Sequence, residues 1–140
     1  MSSPLSIRFE DELLDRLRRA VRASPGATVS GLAQRLVDEG LRMIEYPGVV
    51  FKDGPTGRRA ALVLGPDIWE VVKVVKELDE RGPTAVEGTA ELLNLSQQRV
   101  ELALRYYGVY RTEIDAEMAQ ADQEATEAER AWATRQRLLA

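Results

Sequence analysis

The side chains that most enzymes use to move protons and hold metals are missing from this chain. Its 140 residues include no histidine and no cysteine. That removes the commonest general base, the commonest metal ligand and the thiolate nucleophile. Catalysis would fall to carboxylates or lysine, and no pair of acids sits in a glycine-rich or apolar run of the kind that builds a pocket. Neither an enzyme, a metal site nor a cofactor is expected. What remains are side chains suited to recognition. Gln97-Gln98-Arg99 is one such group. Glutamine matches the adenine edge, and arginine matches guanine or phosphate. Arg58-Arg59 is a second cationic pair. On an ordinary core helix Gln97 and Gln98 would be no more than a solvated first turn, and both readings stand at this point.

The elements that must present these residues are legible around them. Thr84-Ala85-Val86-Glu87 has the form of a capping box, with Thr84 as cap and Glu87 at the third helical position. Ala90 is small enough for two helices to approach. Asn94 tolerates a left-handed turn residue, Ser96 caps a second helix, and Val100 and Leu104 face inward. This is the spacing of a helix-turn-helix, and Gln97, Gln98 and Arg99 fall where base-reading side chains belong. Upstream, Asp67 with Glu70 predicts a capped helix whose buried stripe is Ile68, Val71, Val72, Val75 and Leu78, ended by Gly82-Pro83. Trp69 is read as a core or interface anchor. Val49-Val50-Phe51 and Ala60–Val63 flank the turn-rich Lys52–Arg59, which predicts a hairpin. From it Arg58 and Arg59 would grip a nucleic-acid backbone. Tyr106 and Tyr107 are read as packing residues, and Gly108 as the break of the helix that carries them.

The front of the chain has its own pattern. Leu5-Ser6-Ile7-Arg8-Phe9 alternates apolar and polar residues, the period of a half-buried strand. A lone five-residue strand is not stable by itself, and pairing with its own copy would make an obligate dimer. Glu10-Asp11-Glu12 suits the positive end of a helix. Leu13, Leu14, Leu17, Ala20 and Val21 follow at helical spacing, with Arg16, Arg18, Arg19 and Arg22 on other faces. Ser24-Pro25-Gly26 ends that helix. Ser30 or Thr28 caps the next, whose inward side is predicted to be Leu32, Ala33, Leu36, Val37, Leu41 and Ile44, with Gly40 at a close helix contact.

Strand, helix, tight turn and helix in this order resemble the ribbon-helix-helix family, that of the Arc and Met repressors and many antitoxins, over about a third of the chain. The resemblance implies paired strands in the major groove, with Ser6 and Arg8 on base edges and Pro4 at the margin. It also implies a phosphate held by backbone amides from Thr28 to Gly31, which brings Thr28 and Ser30 into the expected DNA contacts. A unit that only dimerises is the alternative. Residues 46–111 resemble the small winged-helix-like domain of a family of prokaryotic VapB-type antitoxins. The matching residues are Tyr46-Pro47-Gly48-Val49-Val50, Gly57-Arg58-Arg59-Ala60, Asp67-Ile68-Trp69-Glu70-Val71-Val72 and Leu104-Arg105-Tyr106-Tyr107. Here Gly57-Arg58-Arg59 and a longer apolar strand replace the compact Gly-Thr-Arg turn of many members.

The net charge of −4 belongs wholly to residues 112–140, which hold three basic and seven acidic side chains. That argues against a basic nucleic-acid coat. This tail has no Gly or Pro and much Ala and Glu, so helix propensity is high. Its apolar residues are few: Ile114, Met118, Trp132, Leu138 and Leu139. It is either a solvated helix or a segment that orders on a partner, where Met118 and Trp132 would be anchors. The antitoxin resemblance implies an arm that wraps a ribonuclease-type toxin, a PIN-like nuclease being suspected. Its expected contacts are Ile114, Met118, Trp132 and Leu138. Glu113, Asp115 and Glu117 would pair with the toxin's basic residues or repel its metal-binding carboxylates. The alternative packs the tail back on the protein's own dimer.

The expected architecture is therefore mainly α. Residues 1–45 form a ribbon-helix-helix dimerisation and DNA-binding unit, 46–111 a helix-turn-helix domain with a β-hairpin, and 112–140 an acidic helical arm. The expected function is an antitoxin that neutralises its toxin by direct binding and represses its own operon as a DNA-binding homodimer or higher oligomer. A stand-alone transcriptional regulator without a toxin is the second reading. No apolar run approaches the ~20 residues that span a bilayer, and the N-terminus lacks a signal-peptide pattern. A cytoplasmic protein is expected, with no membrane partner.

Overall fold

A computed structural model describes residues 1–55 and 57–140. Thr56, within the expected hairpin turn, lies outside the described residues. The remainder is mainly helical, with six helices and one antiparallel hairpin among the described residues. The order is α1 (Asp11–Arg22), α2 (Val29–Glu45), β1 (Val49–Gly54), β2 (Gly57–Leu62), α3 (Ile68–Glu77), α4 (Pro83–Leu93), α5 (Gln97–Val109) and α6 (Arg111–Leu139). The chain divides into two compact units, Met1–Ile44 and Glu45–Ala140. The first division falls next to the expected one, and the expected tail belongs to the second unit.

In the first unit, residues 1–10 carry no regular secondary structure. The expected strand Leu5–Phe9 forms no ladder: a strand needs a second edge, and these residues pair with none among the described ones. Leu5 is 82% and Ile7 59% exposed. α1 places Asp11 and Glu12 in its first turn and Arg19 and Arg22 in its last, both favourable to the helix dipole. Thr28 caps α2: the Gly31 amide donates to Thr28 Oγ1 at 3.0 Å. Ser30, the other candidate, lies inside the helix. Leu17 and Leu32 are the buried apolar side chains of this unit. Leu36, Val37, Leu41 and Ile44 were expected inward, yet they lie 46% to 75% exposed. Two short helices cover one stripe of each other, and the rest of the apolar surface of α2 falls outside that stripe.

The second unit carries the main core. β1 and β2 pair in register from Val49 opposite Leu62 to Gly54 opposite Gly57. At the hairpin's entry Gly48 has φ +105, and a Cβ there would come 2.9 Å from Leu102 Cδ2, so both backbone and space require glycine. Asp67 caps α3, and its own amide donates to Glu70 Oε2 at 3.0 Å. The helix buries Ile68, Val71 and Val72.

Two expected boundaries move. α4 starts at Pro83, with Gly82 as N-cap at φ 64, so Thr84 sits in the first turn and does not cap. Proline suits that first position because its φ is preset and it has no amide to satisfy. α5 runs through Gly108 and stops only at Tyr110. A glycine costs a helix about 1 kcal/mol, less than the packing that holds this one. Tyr106, one turn upstream, is fully buried, with its ring 5.3 Å from Tyr46 and 4.6 Å from Tyr110. The turn between α4 and α5 is as expected: Asn94 is left-handed at φ 53, ψ 49, and Ser96 Oγ accepts from the Arg99 amide at 3.2 Å.

Candidate functional site

Two sets of recognition residues lie in the second unit. Gln97 and Gln98 are exposed on the first turn of α5, directly after the Asn94–Ser96 turn. Arg99 is half-buried, and its guanidinium donates to the Val63 carbonyl in the loop that leaves β2. It therefore braces that loop, while Gln97 and Gln98 stay open to solvent. A shallow cleft of about 560 Å³ lies beside them, with Pro47 and Val63 on one side and Gln98, Arg99 and Arg105 on the other.

The two arginines of the hairpin part company. Arg58 stays near the surface and pairs with Asp53 at 3.3 Å, its cross-strand partner in the register. Arg59 opens the buried run of β2 and is only 6% exposed. It is not presented to a nucleic-acid backbone, contrary to expectation. Adjacent positions on a strand face opposite sides, so a neighbouring pair of arginines does not share one surface.

The expected partner contacts on α6 also divide. Ile114 is fully buried in the core and is not available to a partner. Met118, half-buried, packs against the same core. Trp132 and Leu138 are 64% and 83% exposed. The first turns of a helix laid on a body become core, and only the part beyond the body stays free.

A polar cluster fixes this anchored part, and sequence reading did not single it out. The Tyr107 hydroxyl donates to Asp115 Oδ1 at 2.7 Å. Lys76 Nζ lies 3.5 Å from the same oxygen and 5.4 Å from the Tyr107 ring centre. Arg111 Nε is 3.7 Å from Asp115 Oδ2. The Tyr107 hydrogen bond, followed by the Lys76 and Arg111 charges, holds the Asp115 carboxyl below the ordinary carboxylate range. The hydroxyl and the Asp115 charge raise Lys76 above the ordinary lysine value. Two turns further along α6, Lys73 Nζ pairs with Asp122 at 3.3 Å. Asp115, expected to face a partner's basic groups, is engaged within its own unit. The signal in the sequence was weak: Lys76, Tyr107 and Asp115 lie on three different helices, and no local spacing links them.

In the first unit Ser6, Arg8, Thr28 and Ser30 are all exposed. Thr28 Oγ1 is occupied by the Gly31 amide. An apolar groove of about 370 Å³ runs between Leu5, Ile7 and Phe9 on one side and Val29, Ala33 and Val37 on the other. No helix among the described residues is long and apolar enough to cross a membrane.

No family model matches the chain, and no solved structure matches it. The sequence is similar to the cell division ATP-binding protein FtsE of Bacillus subtilis (strain 168), at 36% identity over 94 residues. That match takes in 64% of this chain and 39% of FtsE, so the chain spans well under half the length of that relative.

Proposed function

We propose that the chain is a DNA-binding antitoxin that works as a homodimer. On this reading the first unit pairs with its copy, edge to edge along Leu5–Phe9, as a ribbon-helix-helix. Ser6 and Arg8 meet base edges, and the start of α2 meets phosphate. The second unit adds a helix-turn-helix surface at Gln97 and Gln98, and the outer part of α6 takes the toxin, a PIN-like nuclease. The observation that carries the reading is the apolar surface that one chain leaves in water. Leu5, Ile7, Leu36, Val37, Leu41 and Ile44 are all exposed, beside the exposed Ser6 and Arg8. A unit with so small a private core is stable once a partner covers that surface. The partial likeness to FtsE does not favour nucleotide binding here. These residues contain no Gly-x4-Gly-Lys-Ser/Thr run, the backbone cradle for phosphate in P-loop proteins.

The test has two arms. Arg8→Ala is expected to weaken binding to the DNA upstream of the protein's own gene by about 1–3 kcal/mol and to leave the dimer intact. Unchanged binding, read by fluorescence anisotropy, would take base recognition away from the ribbon. Removing residues 123–140 keeps Ile114, Met118 and Asp122 with the body. It is expected to abolish capture of the neighbouring gene's product while DNA binding persists; full capture by the shortened chain would take the toxin contact away from α6.

A further inference from the structure

The exposed stretch of α6 carries a second pattern. Ile114, Met118, Ala121, Ala125, Ala128, Trp132, Arg135 and Leu139 recur at alternating steps of four and three, the seam of a paired helix. The seam already works as a packing face at its start, where Ile114 and Met118 sit against the core of their own unit. It then continues past the body. From Asp122 onward every residue except Ala133 is exposed, including Trp132 and Leu139. A solvated helical extension with no packing partner is marginal in water.

We propose that the outer part of α6, Ala121–Leu139, pairs antiparallel with the same segment of a second copy of this chain. The seam is self-complementary about a two-fold axis at Arg130. In that register Ala121 meets Leu139, Ala125 meets Arg135, and Ala128 meets Trp132. Each large side chain finds a small one, which is how facing layers interdigitate without voids. A parallel pair would set Trp132 on Trp132 and Arg135 on Arg135.

Charge selects the same direction. From Glu113 to Glu129 the helix holds seven acids and no base, and beyond them Arg130, Arg135 and Arg137 with no acid. Antiparallel pairing lays the arginine end of each helix along the acidic stretch of the other, whereas a parallel pair would align acid with acid. One contact is unfavourable, Glu129 against its own copy. The inference depends on neither the DNA reading nor the toxin reading, since the protein alone suffices to test it.

The native chain has no cysteine, so single introduced thiols report without background. Full-length Ala128→Cys and Trp132→Cys variants are mixed and oxidised. A disulfide requires Cα atoms within about 7 Å, a separation that the antiparallel register provides between these two positions. The expected product is the dimer linked between positions 128 and 132. Ala125→Cys mixed with Arg135→Cys should link likewise. Gln123→Cys and Arg130→Cys, off the seam, serve as controls. Links between identical seam positions would overturn the antiparallel register. Equal yields from seam and off-seam thiols, or no link in any mixture, would overturn the pairing itself. Capture of the neighbouring gene's product by an α6 that never links would discard this inference and leave the proposed function standing.

Discussion

Replacing Ile114 with alanine separates the two halves of α6 most cleanly. The side chain is fully buried in the core cluster that also holds Tyr106, Val72 and Ala103. Truncating a buried isoleucine removes its transfer free energy and leaves a cavity, together costing about 2–5 kcal/mol. The site lies where α6 meets α3 and α5, packed with half-buried Met118 nearby, so collapse around the gap is limited and about 3 kcal/mol is the working figure. For a unit of this size each kcal/mol lowers the melting midpoint by about 4–8 °C, which gives a fall of about 12–24 °C. The reporter is Trp69, half-buried, whose indole N–H donates to Asp67 Oδ2 at 3.0 Å. Trp132→Phe silences the other tryptophan, since the chain has only two. Leu138→Ala, at 83% exposure, is the control and should change stability by less than about 0.5 kcal/mol. Coincident melts for Ile114→Ala and its parent would refute the division of α6 into an anchored part and a free one.

Two further substitutions test local devices. Asn94→Ala places a side chain in the left-handed turn and should cost about 1–2 kcal/mol, while Asn94→Gly should cost far less; equal urea midpoints would mean that the turn relaxes. Tyr107→Phe removes the strongest cause of the low Asp115 pKa. A depressed folded-state carboxylate stabilises above its unfolded value, near 3.8, and that contribution is lost as pH falls through the folded value. The raised Lys76 acts in the opposite sense: its contribution is present below 10.5 and lost as pH rises through the folded value. Tyr107→Phe should therefore be less stable than the parent at neutral pH, and the gap should narrow in acid, where the Asp115 part is lost and the Lys76 part stays, as read by urea midpoints across that range; a gap unchanged by pH would contradict the charge argument.

What the sequence made legible was local and periodic. The Asp67–Glu70 box, the left-handed Asn94 and the Ser96 cap each depend on neighbours within three or four positions, and all three form. The hairpin was legible because two apolar runs flank a cluster of turn residues. Thr84-Ala85-Val86-Glu87 misled because the same four letters fit a capping box two residues too late, while Gly82-Pro83 offered a better start. Gly108 misled because propensity is a weak force beside the burial of Tyr106. The candidate recognition residues were legible by type but not by exposure. Arg58 and Arg59 look equivalent as letters, yet only pairing with β1 and coverage of β2 distinguish them. The Lys76–Tyr107–Asp115 cluster and the Lys73–Asp122 pair, 49 positions apart, depend on how α6 docks, which no local pattern encodes.

The first unit shields two sizeable aliphatic side chains from water, Leu17 and Leu32. In the proposed homodimer the partner copy covers the rest, and stability then follows mass action. Dilution would then loosen this unit before the second, whose core is larger, so the amount of protein in a cell would itself set how much of the front end is ordered.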